Sequence, residues 1–462
     1  MSTLDVRPSP TIGGEAVVPG DKSVTHRALM LGAIATGTTE IVHPGGGEDN
    51  HATMGALTAL GVEFIRPDAE HITVRGVGLR GLRSAAQPLN CENSGTTTRL
   101  LAGLLAGAGV KATLIGDDSL SGRPMRRVAE PLRELGYIVE TSEKGTLPLE
   151  ISGTRSGGDE SVRVILRTAS AQVKSCILLS GLYRSGVTEV VEPSPSRDHS
   201  ERLLRAFGVR VESSAHYLNP DAGSSSDMAP WCRLHPTSGF RGRLVEVPGD
   251  ISSASFLLAA GLLVGSGVKV RDVGVNPTRT GFLKAIARMG ARVELSRRRQ
   301  LSSNEPVADI RVVPGPLSAT RIAGDEIPAL IDEIPILCVL GAASTGRFEV
   351  RDAKELRVKE SDRIAHTAAL LTSLGCVVET FDDGLAFDGL GGPVWAGFES
   401  DSAGDHRIAM CAATAAYAAS SPSRIHGAGA VAVSYPTYVD TMLGLGALID
   451  DGVKRPAFGR GL

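Results

Sequence analysis

Cationic side chains recur beside Ser, Thr, Asn or Gly wherever this chain looks ready to begin a helix. The first such stretch is Lys22-Ser23-Val24-Thr25-His26-Arg27, followed by Asn93-Ser94-Gly95-Thr96-Thr97-Thr98-Arg99. Then come Ser121-Gly122-Arg123-Pro124-Met125-Arg126-Arg127, Ser170-Ala171-Gln172-Val173-Lys174-Ser175 and Ser196-Arg197-Asp198-His199. Lys359-Glu360-Ser361-Asp362-Arg363 and Asp405-His406-Arg407 complete the series. The first turn of a helix leaves N–H groups unsatisfied and carries the positive end of the dipole, so it attracts anions. Hydroxyls and charged forks beside it add strong donors suited to phosphate and carboxylate. Any one of these stretches alone is a capped helix with a surface ion pair. So many, at corresponding places in the chain, predict a shared anion site. Thr278-Arg279-Thr280 has no supporting charge nearby and reads as a cap.

Acid–base candidates lie among these cations. Asp332 ends the strand-like run Ala329-Leu330-Ile331-Asp332, where other segments carry their ligand-type groups. Glu333 reads as the N-cap of the helix that follows, and Glu360 sits between Lys359 and Arg363. A carboxylate among cations is held ionised and can accept a proton near neutral pH. A lysine facing clustered cations is pushed towards releasing one. Other chemistries find no support. The chain has no P-loop, no dinucleotide fingerprint and no nucleophile elbow. Gly45-Gly46-Gly47 runs into Glu48-Asp49, the wrong charge for a phosphate cradle, and reads as a turn. His199 and His406 each neighbour Asp and Arg, and no two histidines have metal-ligand spacing, so no metal is expected. The six cysteines are scattered without a C-x-x-C pair, as buried reduced thiols are.

The elements that position these residues repeat. Val18-Pro19-Gly20-Asp21 returns as Val247-Pro248-Gly249-Asp250, each time as a strand end, a turn and an Asp- or Ser-capped helix of small apolar residues. Such helices begin near Lys22, Asn93, Ala171, Ile251, Asp332 and Asp405, at steps of roughly 70–80 residues. Each leads into a turn and strand, as in Gly37-Thr38-Thr39-Glu40-Ile41; the copy near Ser423–His426 is degenerate. Each unit then has an amphipathic helix ending at glycine, followed by another strand: Gly61, Gly136, Gly208, Gly290, Gly375 and Gly446. Six βαβ-type units predict an α/β protein of two similar three-unit domains, 21–245 and 246–462, with the strand in 1–20 joining the second. The stretch from Ser213 to Arg243 reads as irregular, its end marking the domain crossing. Arg297-Arg298-Arg299 reads as a solvated turn between strands.

Composition sets bounds on the class. The chain has 462 residues, more than one ordinary core holds. A net charge of −3 and 4% aromatic residues argue against nucleic acid. The first eleven residues have no signal-like apolar core and Phe256–Val264 is too short to span a bilayer, so a cytoplasmic protein off the membrane is expected.

Taken together, Pro19-Gly20-Asp21-Lys22-Ser23, Asn93-Ser94-Gly95-Thr96 with Arg99, Arg123-Pro124-Met125, Ser170-Ala171-Gln172, Ser196-Arg197-Asp198-His199, the run Glu355 to Arg363, and Gly404-Asp405-His406-Arg407 resemble the 5-enolpyruvylshikimate-3-phosphate synthase family, over roughly Ile12 to Leu448. The resemblance implies an enolpyruvyl transferase-like inverse α/β barrel in each domain, with the active site in the interdomain cleft. It implies transfer of the enolpyruvyl group of phosphoenolpyruvate to the 5-hydroxyl of shikimate 3-phosphate, through a tetrahedral intermediate, with no metal or organic cofactor. Carried over by match, Lys22, Ser23, Arg27, Ser170, Gln172, Arg197, Asp332 and Lys359 would hold shikimate 3-phosphate. Lys22, Gly95, Arg123, Gln172, Arg363 and Arg407 would hold phosphoenolpyruvate. Asp332 would take the hydroxyl proton, with Glu360 and Lys22 moving the proton at the methylene carbon. A monomer that binds only small molecules is expected.

The chain departs from the family in two places. Glu92 stands where many members have glycine, and Val433-Ser434-Tyr435-Pro436 lacks a lysine that some carry. Gly95, where tolerant members can place alanine, implies inhibition by glyphosate. The sister transferase acting on UDP-N-acetylglucosamine would need a loop cysteine at Asp118 and Asn at Ser23. A binding-only relative would leave Asp332, Glu360 and Lys22 together unexplained. An RNA-processing relative on a similar repeat is disfavoured by charge and aromatic content.

Overall fold

The computed structural model describes residues 3–155, 160–214, 229–265 and 267–453. Its small-residue helices are buried on every side. Ile334–Ala342 is buried along its whole length, and Ile251–Val264 is buried from Ile251 to Leu262. A helix apolar all round has no face to show water, so it becomes the interior. Small residues also let helices approach closely. A Cβ added at Gly103 would lie 2.0 Å from the Cys176 carbonyl oxygen, where Gly95–Ala108 crosses Ala171–Gly181. Any side chain there would overpack the crossing, at a cost of about 1–3 kcal/mol. The second helix of each unit is one-sided: Arg126–Glu134 buries Val128, Ala129 and Leu132. The six glycines that end these helices all have positive φ, from 84° at Gly208 to 99° at Gly290. A side chain would be strained there.

The strands form six four-stranded sheets of one design, each with one parallel and two antiparallel pairs. In the second, Leu89–Asn90 runs parallel to Ala112–Ile115, which pairs antiparallel with Leu149–Arg155, and that with Tyr137–Thr141. Two sheets take their leading strand from across the chain. Leu244–Glu246 completes the first unit beside Thr36–Val42, and Gly13–Ala16 completes the fourth beside Gly267–Gly274. Thr3–Arg7 lies inside the sixth sheet, between Ser423–His426 and Leu448–Asp450. The apolar core is accordingly divided in two. One cluster runs from Val24 to Val247; the other joins Leu4–Val18 to Ile251–Ile449. The chain therefore crosses twice between them, and the repeated Val-Pro-Gly-Asp motifs are the crossings. They lie antiparallel: the Asp21 N–H donates to the Pro248 carbonyl at 2.7 Å, and the Asp250 N–H to that of Pro19 at 2.9 Å.

Three expectations need correcting. Ala329–Asp332 is not a strand. Ile327–Leu330 is a helical turn with Pro328 in its first positions, and Ile331–Glu333 is a 3-10 turn. Ile327 and Leu330 are buried three residues apart, which is helical spacing. Arg297-Arg298-Arg299 lies within the edge strand Arg292–Gln300, at a bulge where Arg297 has φ 50°, so the charges are solvated without a chain reversal. Within Ser213–Arg243, residues 215–228 lie outside the described chain, but Trp231–Leu234 is a regular strand. It alternates Cys232 and Leu234 inward with Trp231 and Arg233 less buried, the guanidinium 4.4 Å from the indole centroid. No described helix is long and apolar enough to cross a membrane.

Candidate active site

The helix starts of both halves converge on one cleft, a cavity of about 370 Å³. Units one to five each contribute the beginnings of both their helices, and the sixth contributes Arg407. Caps fix several of these starts: Asp21 accepts from the Val24 N–H, Ser94 from Thr97, Ser170 from Val173, and Asp405 from Arg407. Of the residues singled out from the sequence, Lys22, Ser23, Arg27, Gly95, Arg123 and Ser170 line the cavity, as do Gln172, Arg197, Asp332, Lys359, Glu360 and Arg407. Arg363 does not. It is 1% exposed and lies behind the wall, donating to Asp405 at 2.8 Å, Glu360 at 2.6 Å and Asp332 at 3.2 Å.

Asp332 is the electrostatic centre. Arg197, from the first half of the chain, donates to its Oδ2 at 2.5 Å, while Arg363 and Lys359 reach Oδ1 at 3.2 and 3.5 Å. Burial alone would raise its pKa, but Lys359, Arg197, Arg407 and Arg363 outweigh burial and hold it well below the usual carboxylate range. Glu360 is half-buried, which by itself would raise it, yet Arg363, Arg123 and Lys22 hold it low. Both carboxylates are therefore ionised at neutral pH. The two lysines differ. Burial lowers Lys359, only partly opposed by Asp332. Lys22 is raised despite burial, because Asp49 lies 2.7 Å from its Nζ and Glu360 adds to the effect. Of the two, only Lys359 matches the expectation of a lysine pushed towards proton release.

Arg27 and Arg123 are held by neutral groups. Arg27 donates to the hydroxyls of Ser200 and Ser175, both at 2.7 Å, and burial pushes its pKa down to about 10. Arg123 is anchored by Asn93 and by the Ser119 hydroxyl at 3.3 Å. Gln172 is oriented at both ends, its oxygen accepting from Arg99 at 2.5 Å and its nitrogen donating to Thr96 at 3.0 Å. Glu92 does not line the cavity; it is exposed, and its carboxylate accepts from the Asn90 amide at 2.8 Å.

The sequence reading gave no site role to several residues on or behind the wall. Asp49, dismissed with its glycine run, is the partner of Lys22. Arg279, read as part of a cap, is 3% exposed and bonded to Ser252 at 2.7 Å. Glu333, read as an N-cap, makes no capping bond; it is fully buried and accepts from Ser252. Arg127 and Glu355 pair across the cleft through two hydrogen bonds of 3.1 and 2.8 Å. One signal could have found Asp49 and Arg279 and singled out Arg127 within its cationic stretch. Each stands near the start of a unit's second helix, the position that Arg197 and Lys359 hold in their own units.

A cleft lined by helix N-termini between two three-unit α/β halves defines the enolpyruvyl transferase fold. An enolpyruvyl transferase from Streptomyces tendae superposes with a TM-score of 0.76 over 97% of this chain and 98% of its own, at 18% identity. EPSP synthase from Acinetobacter baumannii superposes with a TM-score of 0.82 over 97% of this chain and 99% of its own, at 39% identity. The family model for EPSP synthase (3-phosphoshikimate 1-carboxyvinyltransferase) matches residues 6–442, and the chain belongs to that family. Among its relatives is the 3-phosphoshikimate 1-carboxyvinyltransferase of a Synechococcus strain, 47% identical over 94% of this chain and 96% of its own. That of Geobacter sulfurreducens is 44% identical over 95% and 98%.

Proposed function

We propose that the chain transfers the enolpyruvyl group of phosphoenolpyruvate to the 5-hydroxyl of shikimate 3-phosphate, releasing phosphate. The observation that carries the mechanism is the Asp332 carboxylate, ionised and clamped between Arg197 of one half and Lys359 and Arg363 of the other. Shikimate 3-phosphate takes Lys22, Ser23, Arg27, Ser170, Gln172, Arg197, Asp332 and Lys359. Phosphoenolpyruvate takes Lys22, Gly95, Arg123, Gln172, Arg363 and Arg407. Asp332 removes the 5-hydroxyl proton as that oxygen attacks the second carbon of the enolpyruvyl unit. The methylene carbon gains a proton from the Glu360–Lys22 side, which gives a tetrahedral ketal. Loss of a methyl proton to the same side then expels phosphate and restores the double bond. Arg363, Arg123 and Lys22 hold Glu360 ionised, and substrate anions that neutralise them raise its proton affinity. Arg363 reaches substrate by exchanging one of its three carboxylate partners.

The two bodies in this reading are 21–245 and 246–462, the second including 1–20. They close about the paired crossings at Gly20 and Gly249, which excludes water and strengthens every charge interaction inside. The protein acts as a cytoplasmic monomer. Phosphate release from phosphoenolpyruvate is the test, with and without shikimate 3-phosphate, for wild type and Asp332→Ala. Release that needs both substrates and collapses in the variant supports the reading. Release with UDP-N-acetylglucosamine as acceptor instead, or none with either, overturns it.

A further inference from the structure

Two buried charges at the cleft have no part in that chemistry: Arg279, which lines it, and Glu333, which does not. Glu333 follows Asp332 directly and is fully buried. Its Oε1 accepts from the Ser252 hydroxyl and lies 3.5 Å from Arg279 Nη2 and 4.0 Å from Arg407 Nη1. The same Arg407 nitrogen donates to the Asp332 main-chain carbonyl at 3.2 Å. One carboxylate oxygen thus gathers groups from three segments. Ser252 opens Ile251–Val264, Arg279 precedes Gly281–Arg288, and Arg407 lies in the first turn of His406–Tyr417.

Arg279 lines the cavity, so it could be read as one more anion-binding cation. The charges around it argue otherwise. Glu333 is 3.5 Å away, Asp250 is 3.6 Å away, and Asp21 also acts on it. A guanidinium among three carboxylates has little attraction left for a ligand. Arg407 is different: its one ion-pair partner among the described residues is Glu333, and its Nε has no hydrogen-bond partner.

We infer that Glu333 is the positioning residue for Arg407, holding that guanidinium against the Asp332 main chain, and that Arg279 and Ser252 fix Glu333 in turn. The inference rests on the reading that this cleft binds phosphoenolpyruvate through Arg407. A simple charge count predicts the opposite result. Removing one negative charge from an anion site should tighten anion binding, whereas loss of positioning should weaken it. The two accounts therefore differ in sign.

The experiment is steady-state kinetics of Glu333→Gln, with each substrate varied at saturation of the other. Glutamine keeps the shape and an acceptor for Ser252 but loses the charge. Loss of the buried negative charge 4.0 Å from Arg407 Nη1 predicts a rise of about ten-fold in KM for phosphoenolpyruvate. KM for shikimate 3-phosphate and kcat should change much less. In an Arg407→Lys background the same substitution should add little, because its effect acts through Arg407. Ser252→Ala, which removes only the hydroxyl anchor, should shift KM for phosphoenolpyruvate in the same direction by less, and it serves if Glu333→Gln does not fold. A lower KM for phosphoenolpyruvate, or equal losses in kcat and both KM values that add fully to Arg407→Lys, would overturn the inference. If wild type releases phosphate without needing shikimate 3-phosphate, the functional reading itself fails. If wild type needs both substrates but KM for phosphoenolpyruvate does not move, only the positioning role fails.

Discussion

Asp332→Asn separates base chemistry from charge. Asparagine keeps the size of the side chain and one acceptor oxygen for Arg197, now 2.5 Å away, but it cannot take up the 5-hydroxyl proton. A positioned general base contributes about 10²–10⁴ in rate, so kcat should fall by that factor, equivalent to roughly 3–5 kcal/mol of barrier. Binding should respond differently. Arg197, Lys359 and Arg363 lose the carboxylate they share, so the cleft becomes one unit more positive. Shikimate 3-phosphate should bind at least as tightly as to wild type by calorimetric titration. Breaking a buried pair from one side costs about 3–5 kcal/mol of stability, and a bound phosphate supplies part of the missing counter-charge. Shikimate 3-phosphate should therefore raise the Tm of the variant by more than that of wild type. Burial already lowers Lys359, and Asp332 opposes burial more strongly than Glu360 does. Without Asp332, Lys359 drops further, and the basic limb of kcat/KM moves to lower pH. A variant keeping more than about a tenth of wild-type kcat would refute Asp332 as the base. A parallel loss of kcat and shikimate 3-phosphate affinity would make it a ligand only.

Gly95→Ala should leave the fold intact, because its Cβ would stand 3.4 Å from Arg123 and 3.5 Å from Arg99, ordinary contact. Alanine in this helix adds up to about 1 kcal/mol, so Tm should not fall. KM for phosphoenolpyruvate should rise, and millimolar glyphosate should slow wild type more than the variant. Glu92→Gly relieves a left-handed backbone at φ 49° and should stabilise the protein by about 1 kcal/mol in denaturant titration, leaving phosphate release unchanged. His26 and His406 are buried, and burial pushes both pKa values down to about 3. The unfolded chain protonates them near 6.5 and the folded one does not, so the stability they permit is complete above that pH. It is lost as pH falls from about 6.5 towards 3, and unfolding free energy measured at pH 7 and pH 5 should show the drop. His26→Gln should reduce it.

The repeat was legible in the chain because its signals are local. A glycine must end an amphipathic helix where the backbone turns left-handed, and Gly61, Gly136, Gly208, Gly290, Gly375 and Gly446 do so. Asp21 and Asp250 could be read as caps because a cap needs only the next three residues. The cations beside those caps were legible for the same reason, and most of them line one cavity, whereas Arg99, Arg126, Lys174 and Arg363 do not. Glu333 shows the limit of such reading. Its position is that of a cap, but Ser252 and Arg279, far away in sequence, bind its carboxylate instead.

What the sequence by itself determined was the unit, its six-fold recurrence and the residue types at the helix starts, since each depends on neighbours within a turn or two. The sequence placed the first twenty residues with the second domain, but the tertiary structure alone decided which strand completes which sheet, because Leu244–Glu246 and Gly13–Ala16 pair with strands more than two hundred residues away. It also decided which charges meet. Asp49 reaches Lys22, Arg127 reaches Glu355, and Arg363 turns behind the wall to three carboxylates. Ion pairing depends on distances of a few ångströms between chain-distant atoms, and no local pattern of residues contains that information.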